Sequence, residues 1–258
     1  MQISATIITY NEEQNIERCI RSMQGVVEEI IVVDSFSKDE TVAIATRLGA
    51  TVIQHVFDGY GAQKRFAIDA ATHDWILSLD ADEVVSPELA QSILALKKTS
   101  PQHAAYRFPF LTNYCGKWIY HCGWYPEMKM RLLDRTKGEM AIDKVHEDWK
   151  LYDRSDSIGT LKGDALHYSF PTISTHLKKI EYYSEVGARF DIARGKKVSL
   201  LKLLLAPKWF FFTLFILRGG FLDGYYGYII CKNSAFASFS KYVKIRQYTK
   251  LQREGKPF

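Results

Sequence analysis

Strand-like and helix-like segments alternate along residues 3–98, and this alternation constrains the fold more than any other feature of the sequence. Short runs rich in β-branched residues are separated by longer stretches in which apolar residues recur with helical spacing. Such a series predicts an α/β fold with a mostly parallel sheet and helices on both faces. The predicted strands are Ile3–Thr9, Glu29–Asp34, Thr51–His55 and Trp75–Leu79, and the predicted helices are Asn11–Met23, Lys38–Leu48, Gly61–Thr72 and Pro87–Lys98.

Two of these helices carry start signals. Glu12 and Glu13 are expected in the first turn of the first helix, where the helix dipole favours acidic side chains. Apolar residues that begin at Ile16 recur on one face of this helix, which we expect to be buried. Ser86 precedes Pro87 and is predicted to cap the fourth helix.

The composition suits a folded domain with an extension. The chain has 258 residues, 47% of them hydrophobic, and its net charge of +5 is too small to require a nucleic acid partner. The region 105–149 is rich in aromatic residues, and the chain becomes basic and helical from about residue 174. We therefore predict one domain over 1–172, with halves at 1–100 and 101–172, and a basic, aromatic helical extension over 173–258.

Acidic residues stand where the predicted strands end. In open α/β sheets, ligands bind beyond the carboxyl ends of the strands. Asp34 ends the second strand, and Asp80 and Asp82 follow the fourth. In an extended chain the carboxylates of Asp80 and Asp82 point the same way, and paired carboxylates suit Mg²⁺ or Mn²⁺. The alternative for Asp34 and Asp80 is a turn or helix-cap role.

Several short motifs accompany these strand ends. They are Thr9–Glu13, Val32–Ser35, Gly61–Arg65, Trp75–Glu83, Val145–Glu147, His167–Tyr168 and Gly219–Gly224. Together they resemble family 2 glycosyltransferases of the GT-A fold, and they are similar to the bacterial branch that contains lipopolysaccharide core β-1,4-glucosyltransferases. The resemblance implies an enzyme that uses a nucleotide sugar, a UDP-hexose, together with Mg²⁺ or Mn²⁺.

The resemblance also implies roles for individual residues. Asp82 would ligate the metal, with Asp80 and His167 as further ligands. The alternatives are a solvated helix face for Lys64 and Arg65 and a structural role for the histidine. The implied contacts to the nucleotide sugar are Thr9, Tyr10, Asn11, Glu12, Asp34, Lys64, Arg65, Asp80, Ala81 and Asp82.

A second group of residues would serve the acceptor. Inverting transfer needs a general base for the acceptor hydroxyl, and a carboxylate near the metal can supply it. Glu147 is the first candidate and Asp148 the second, because the family pattern often ends in Glu-Asp whereas the branch pattern is His-Glu. The alternative is a loop of exposed acids. Sugars stack on aromatic rings, so we predict an acceptor wall, with core packing as its alternative. The predicted acceptor residues are Trp118, Trp124, Tyr125, Arg131 and His146.

The segment 200–217 is strongly apolar. Lys202, Pro207 and Lys208 interrupt it, and the unbroken run 209–217 is shorter than the roughly 20 residues that span a bilayer. Apolar and aromatic residues bordered by cations are typical of an interfacial helix on anionic lipid, so we predict that the segment touches a membrane surface. The alternative is a helical pair packed on the catalytic domain. The residues expected to face lipid include Phe210, Phe211, Phe212 and Phe215.

Two further features of the sequence indicate the cellular compartment. The start of the chain lacks a basic region before its short apolar run, and cysteines are sparse without a C-x-x-C pair. We expect reduced thiols and a cytoplasmic protein, peripheral on the cytoplasmic face of the inner membrane.

The resemblance implies an inverting glycosyltransferase acting on a glycan or a lipopolysaccharide-core-type acceptor. One rival is transfer to a polyprenyl phosphate, an acceptor that is already anionic and needs no base. Another is a non-catalytic membrane-associated scaffold, which would need neither the Asp80–Asp82 pair nor the His146–Glu147 motif. A dinucleotide dehydrogenase would require G-x-G-x-x-G after the first strand, where this chain has Thr9–Glu13. The donor sugar, the acceptor and the oligomeric state stay open.

Overall fold

The computed structural model describes residues 1–141, 149–153 and 155–257. It confirms the predicted fold, an α/β arrangement of the GT-A type with a helical C-terminal extension. The strands are β1 (Ile3–Thr9), β2 (Glu29–Asp34), β3 (Thr51–Gln54), β4 (Trp75–Asp80), β5 (Glu83–Val85), β6 (Ala105–Tyr114), β7 (Lys117–Ile119), β8 (Glu127–Asp134), β9 (Gly138–Met140), β10 (Trp149–Leu151), β11 (Ile158–Thr160) and β12 (Ala165–Phe170). The helices are α1 (Ile16–Met23), α2 (Thr41–Arg47), α3 (Tyr60–Asp69), α4 (Pro87–Lys97), α5 (Ile173–Ala193), α6 (Leu200–Phe212) and α7 (Gly224–Arg253).

The main sheet is parallel in its first half and antiparallel in most of its second half. Its strand order is β3-β2-β1-β4-β8-β6-β12-β5. Strand β1 pairs in parallel with β2 and β4, and β2 with β3, so their carboxyl ends share one edge. Strand β8 runs antiparallel to β4 and β6. No helix is described between α4 and α5; β7 and β8 run antiparallel to β6 there, and β11 runs parallel to β6.

Helices cover both faces of the parallel strands, as predicted. On one face α1 buries the apolar stripe that begins at Ile16, which packs with Ile3 and Ile7 of β1. On the other face α3 buries Ala67 against Ile31 of β2. This burial on both faces explains why the sequences of the parallel strands are nearly continuous apolar runs.

Helix α1 begins later than the sequence predicts. The segment 11–15 is a turn because contacts distant in sequence hold it: the Glu12 N–H donates to Thr41 Oγ1 at 2.8 Å, and the Glu13 N–H donates to Asp39 Oδ2 at 3.1 Å. The two glutamates are therefore outside the first helical turn. The cap of α4 is as predicted, since Ser86 Oγ accepts from the Leu89 N–H at 3.2 Å.

The chain forms two compact units, and their boundary differs from the predicted one. The first is Met1–Leu111 with Glu127–Tyr168, and the second is Thr112–Pro126 with Ser169–Phe258. The segment 112–126 was assigned to the catalytic domain, but Tyr114 and Cys122 from this segment pack with Ile230 of α7 in the core of the second unit.

In the second unit, α5 and α6 both pack on α7. Gly227 of α7 has to be glycine, because a Cβ there would lie 1.9 Å from the carbonyl oxygen of Gly220. Asp223, almost fully buried just before α7, accepts hydrogen bonds from the His121 N–H at 2.8 Å and from the Tyr120 N–H at 3.4 Å. These contacts fix the loop after β7 within this unit.

Helix α6 and the turn after it expose many apolar side chains. The exposed fractions are 67% for Leu201, 64% for Trp209 and 61% for Leu217. Phe211 and Phe215 differ from the expectation that they face lipid, because they stack at 5.3 Å and pack against the core of the second unit. Within the described part of the chain, Leu200–Leu217 has the length and mean hydropathy (1.8) of a helix that could cross a membrane, and 6% of it is buried.

Candidate active site

The loops after β1 and β2 hold each other at the carboxyl edge of the sheet. Asn11 has a left-handed φ of 55°, a conformation that asparagine tolerates. Its N–H donates to Ser37 Oγ at 2.8 Å, and its Oδ1 accepts from the Lys38 N–H at 2.8 Å. Asp34 is fully buried and accepts from the Ser37 N–H at 2.9 Å and from the Ser37 hydroxyl. Thr9 lies opposite Asp34 in the strand register, so three of the predicted donor-site residues are brought together.

Two more predicted residues extend this edge. Tyr10 is 58% exposed and follows Thr9 directly. Glu12 accepts a hydrogen bond from Asn15 Nδ2 at 2.5 Å. Burial raises the pKa of Glu12, the nearby carboxylate of Asp82 adds to the rise, and the Asn15 bond opposes it. Glu12 therefore lies within electrostatic reach of the Asp80–Asp82 motif.

A polar cluster after β3 was not predicted. Gln63 of α3 is buried, its Oε1 lies 2.9 Å from His55 Nδ1, and its Nε2 donates to Ser35 Oγ at 3.1 Å. His55 stacks on Phe66 with ring centroids 4.0 Å apart. The signal was present, because Gln63 lies inside the Gly61–Arg65 motif.

Asp80 stands between two cations. Lys64, whose side chain is 3% exposed, places Nζ 2.9 Å from Asp80 Oδ1, and Arg131 places Nη2 3.3 Å from Asp80 Oδ2. Arg131 also reaches Glu83 Oε1 at 3.4 Å. Burial alone would raise the pKa of Asp80, but Lys64 and Arg131 outweigh it and hold that pKa well below its usual range. Burial raises the pKa of Glu83. Asp80 is thus a charged group fixed by protein cations.

The remaining residues of this group have different surroundings. Ala81 is buried between the two aspartates. Arg65 is 42% exposed in its side chain and contacts Glu139 at 3.4 Å and Asp69 at 3.9 Å, so its ion pairs are separate from that of Asp80. Arg131 was expected on the acceptor wall; the structure instead buries it beside Asp80, because β8 pairs with β4 and carries it to the Asp80–Asp82 motif.

The Lys64–Asp80 pair predicts a stability effect. We expect Lys64→Met to lower the free energy of unfolding by about 2 kcal/mol, since it removes a cation that is 3% exposed and leaves the partly buried Asp80 carboxylate with Arg131 alone of the two cations that flank it. Because the folded-state pKa of Asp80 is depressed below 3.8, the stabilisation is present above that pH and is lost as pH falls below it. The difference between wild type and variant, measured by urea unfolding, should therefore shrink on acidification. Arg65→Met, which removes only exposed pairs, should cost less than about 0.5 kcal/mol; equal costs at both positions would contradict this account.

Asp82 pairs with His167. The distance from Asp82 Oδ2 to His167 Nε2 is 3.4 Å, and both side chains are partly exposed. Burial lowers the pKa of His167, but the hydrogen bond and charge of Asp82 outweigh it, so the net direction is upward. A carboxylate oxygen and an imidazole nitrogen at this separation fit two ligands of one divalent ion. Across the described residues, no group of three or more His, Cys, Asp or Glu side chains could hold an ion.

Arg18 is a neighbour of this pair that sequence reasoning missed. Its guanidinium carbon lies 3.7 Å from the ring centroid of Tyr168, and the Tyr168 N–H donates to the carbonyl oxygen of Asp82 at 2.9 Å. Arg18 also acts electrostatically on Glu12. Because Arg18 and Tyr168 are far apart in sequence, only the folded chain reveals their contact.

The predicted acceptor aromatics lie in the second unit. Trp124 stacks on Phe170 at 5.3 Å and meets Tyr114 at 5.9 Å, which is core packing. Tyr125 contacts the ring of Tyr120 at 5.6 Å, and Trp118 of β7 is half-buried. The predicted base candidates Glu147 and Asp148, and the acceptor candidate His146, lie outside the described residues.

Comparisons with known proteins give a family match and several similar proteins. Residues 4–159 match the profile of the family described as glycosyl transferase family 2. An uncharacterized glycosyltransferase of Rickettsia felis is 35% identical over 95% of this chain and 90% of its own length. The lipopolysaccharide core biosynthesis glycosyltransferase LpsC of Rhizobium meliloti is 28% identical over 96% of this chain and 93% of its own. A solved structure of glucosyl-3-phosphoglycerate synthase from Mycobacterium tuberculosis is 25% identical over 44% of each chain, with a TM-score of 0.36.

Proposed function

The chain belongs to glycosyl transferase family 2, and from this premise we propose that it transfers a hexose from a UDP-sugar to a glycan of the lipopolysaccharide-core type, with inversion at the sugar carbon. The observation that carries the proposal is the group of Asp34, Asp80 and Asp82 along one edge of the parallel strands. The acceptor class is supported by the named relative LpsC. The family membership itself makes the chain a glycosyltransferase.

The donor side of the proposal assigns the nucleoside to the paired loops after β1 and β2. Asp34 is buried, and the contacts described for its carboxylate are with the backbone N–H and the hydroxyl of Ser37, not with a cation. Uncharged polar groups around a carboxylate suit a base and a ribose better than a phosphate. The diphosphate would then extend toward Asp82 and His167, where Lys64 and Arg131 already balance the charge of Asp80.

We assign the proposed Mg²⁺ or Mn²⁺ to Asp82 and His167. When bound there, a divalent ion would neutralise the negative charge that develops on the departing diphosphate. Two protein ligands suffice for such an ion when phosphate oxygens and water complete the shell. Asp80 would act differently: with both oxygens near protein cations, it orients Lys64 and Arg131 beneath the site.

The acceptor side rests on the sequence motif. Glu147, or Asp148, would accept the proton of the acceptor hydroxyl as that oxygen attacks the sugar carbon. Trp118 and Tyr125 remain predicted acceptor contacts, whereas Trp124 packs with the core of the second unit.

Ligand binding gives the direct test of the donor assignment. We expect UDP and UDP-hexoses with Mn²⁺ to raise the melting temperature, because a ligand that binds only the folded state stabilises it by mass action. Nucleotides with other bases should raise it less, and Asp34→Ala should remove the shift. A screen in which no sugar nucleotide shifts the melting temperature, with or without Mn²⁺, would favour the non-catalytic scaffold.

We also propose that the enzyme works at a membrane surface, on the cytoplasmic face of the inner membrane. The exposed leucines and Trp209 of α6 supply apolar area, and Lys202 and Lys208 supply charge toward anionic lipid. A surface position is favoured over a crossing because α6 packs on α7. Lys232 of α7 lies 4.8 Å from the ring of Phe211, and a spanning α6 would draw such charges into the bilayer.

A triple substitution tests this attachment. Leu201, Leu205 and Leu217, which are all more than half exposed, are replaced by serine. We expect partition into anionic vesicles to fall about 100-fold or more, since each leucine contributes apolar burial that salt does not screen. Wild type should be released by salt with mild detergent and not by salt alone. The control replaces exposed aliphatic residues elsewhere, Leu94, Ile158 and Leu177, by serine; equal losses in both variants would refute the assigned surface.

A further inference from the structure

The second unit contains a cavity of about 620 Å³ that the proposed transfer does not use. It lies between α5, α6 and α7, and residues of all three helices line it. Its floor is α7, which presents the small side chains of Ser234, Ala237 and Ser238 there and, one to two turns further on, Lys241 and Tyr242. From Ser234 to Lys241 this helix rises about 10 Å, so the cavity is an elongated groove.

The walls of this groove are apolar. Helix α5 contributes Ile180 and Tyr183, and α6 contributes Ala206, Trp209 and Phe210. A groove of this size falls within the range of small-molecule sites. Because such walls leave the polar groups of a sugar or a nucleotide without hydrogen bonds, they favour a hydrocarbon occupant.

One end of the groove is cationic. Lys179 Nζ lies 2.8 Å from Ser169 Oγ and 3.2 Å from the Ser169 carbonyl oxygen, and 4.7 Å from the ring centroid of Phe170. His176 beside it is buried, and burial together with Lys179 lowers its pKa to about 4, so this histidine is uncharged at neutral pH.

The other end carries a second lysine. Lys241 also lines the groove, and its ammonium lies 3.4 Å from Asp191. None of the described lining residues is a carboxylate, so the charge that faces the groove is positive.

We propose that this groove binds one hydrocarbon chain of an anionic lipid, with the head group paired to Lys179. Apolar walls, a small-residue floor and a cationic end match the two parts of such an amphiphile. The groove is distinct from the exposed leucines that would rest on a membrane, because none of those leucines lines it. The proposal rests on the second unit alone and does not depend on the proposed sugar transfer.

Titration calorimetry of the full chain with dodecyl phosphate, below its micellar concentration, tests the proposal. We expect saturable binding at one site. Ala237→Phe should weaken it at least about 10-fold by filling the floor, whereas Gln247→Phe, on an exposed part of the same helix, should leave it unchanged. If Ala237→Phe fails to fold, Ala206→Leu takes its place. It narrows the groove from the opposite wall and should likewise weaken binding.

Two variants that each remove one lysine charge distinguish the contribution of the lipid head group from that of the hydrocarbon chain. Lys179→Gln should weaken dodecyl phosphate about 10-fold and leave uncharged dodecyl maltoside unchanged, while Lys178→Gln, at the exposed neighbouring lysine, should do neither. Affinity should rise about fourfold per methylene in shorter alkyl phosphates and then level off when the groove is full.

Three results would overturn the proposal. They are binding without saturation, binding that Ala237→Phe and Lys179→Gln both leave intact, and a self-associated form of the chain that excludes the amphiphile. None of these outcomes involves the donor site, so the lipid groove can fail while UDP-sugar binding and transfer stand.

Discussion

Replacing Asp82 by alanine is expected to lower kcat/KM for sugar transfer by about 10³-fold or more. Asp82 and His167 are the two side chains that we assign to the divalent ion, and they lie 3.4 Å apart. Stabilising the charge on the leaving diphosphate contributes several kcal/mol, and each 1.36 kcal/mol is a factor of ten in rate. The fold should survive, because Asp82 is partly exposed and follows the end of β4.

Metal titration distinguishes the loss of a ligand from a general loss of activity. Wild-type activity should disappear with a chelator and return with Mn²⁺, whereas the residual activity of Asp82→Ala should respond to neither. The control is Asp74→Ala, at the opposite end of the same strand, where the side chain is 66% exposed and pairs only loosely with Arg135 at 3.5 Å. It should change activity by no more than about twofold. Chelator-resistant activity together with an active Asp82→Ala enzyme would remove the metal from the mechanism.

The sequence predicted those parts of the fold that local patterns control. The four parallel strands and the apolar face that begins at Ile16 follow from hydrophobic periodicity, and Ser86 caps its helix as its position before Pro87 indicates. The predicted start of α1 was wrong, because the turn at Asn11 is fixed by hydrogen bonds to Ser37 and Lys38. These two residues lie after the next strand. Tertiary contacts of this kind override helical propensity and leave no local signal.

The same distinction applies to the candidate site. Asp34, Asp80 and Asp82 were predicted because they follow strands, and strand ends are readable from the sequence. The contact of Arg131 with Asp80 was not predicted because it depends on β8 pairing with β4, and the antiparallel half of the sheet has no periodic helix signal to reveal that pairing. Glu83 was read only as part of a motif, yet its burial beside Arg131 makes it a partner of Asp80. Charge networks are set by packing between elements that are distant in sequence.

The exposure of individual phenylalanines was another property that the sequence analysis did not separate. The phenylalanines of 210–215 look equivalent in the sequence, but Phe211 and Phe215 pack inside the second unit while Phe212 is 43% exposed. Phe211 and Phe215 are four residues apart and lie on the same face, whereas Phe212 is turned about 100° from Phe211 around the axis of α6. The membrane test therefore uses leucines and not the phenylalanines.

Glu147→Gln is expected to lower kcat by about 10²- to 10⁴-fold while binding of the UDP-sugar stays nearly intact. The substitution keeps the size of the side chain and removes its proton affinity, and a general base contributes a factor of this order. Single-turnover rates and the Kd for the donor, measured on the same preparation, separate the two effects. Glu139→Gln, an exposed glutamate that pairs with Arg65, is the matched control and should retain wild-type turnover.

The companion variant Asp148→Asn shows which of the two carboxylates is the base. It also distinguishes transfer to an acceptor hydroxyl from transfer to a polyprenyl phosphate. If Asp148→Asn carries the loss and Glu147→Gln does not, the base is Asp148. If both single variants and the double variant keep their activity, no carboxylate base is needed. An acceptor hydroxyl has a proton to lose and a polyprenyl phosphate oxygen is already anionic, so that outcome would replace the glycan acceptor by a lipid phosphate. An equal fall in donor affinity and turnover at Glu147 would instead assign this residue to the nucleotide-sugar pocket.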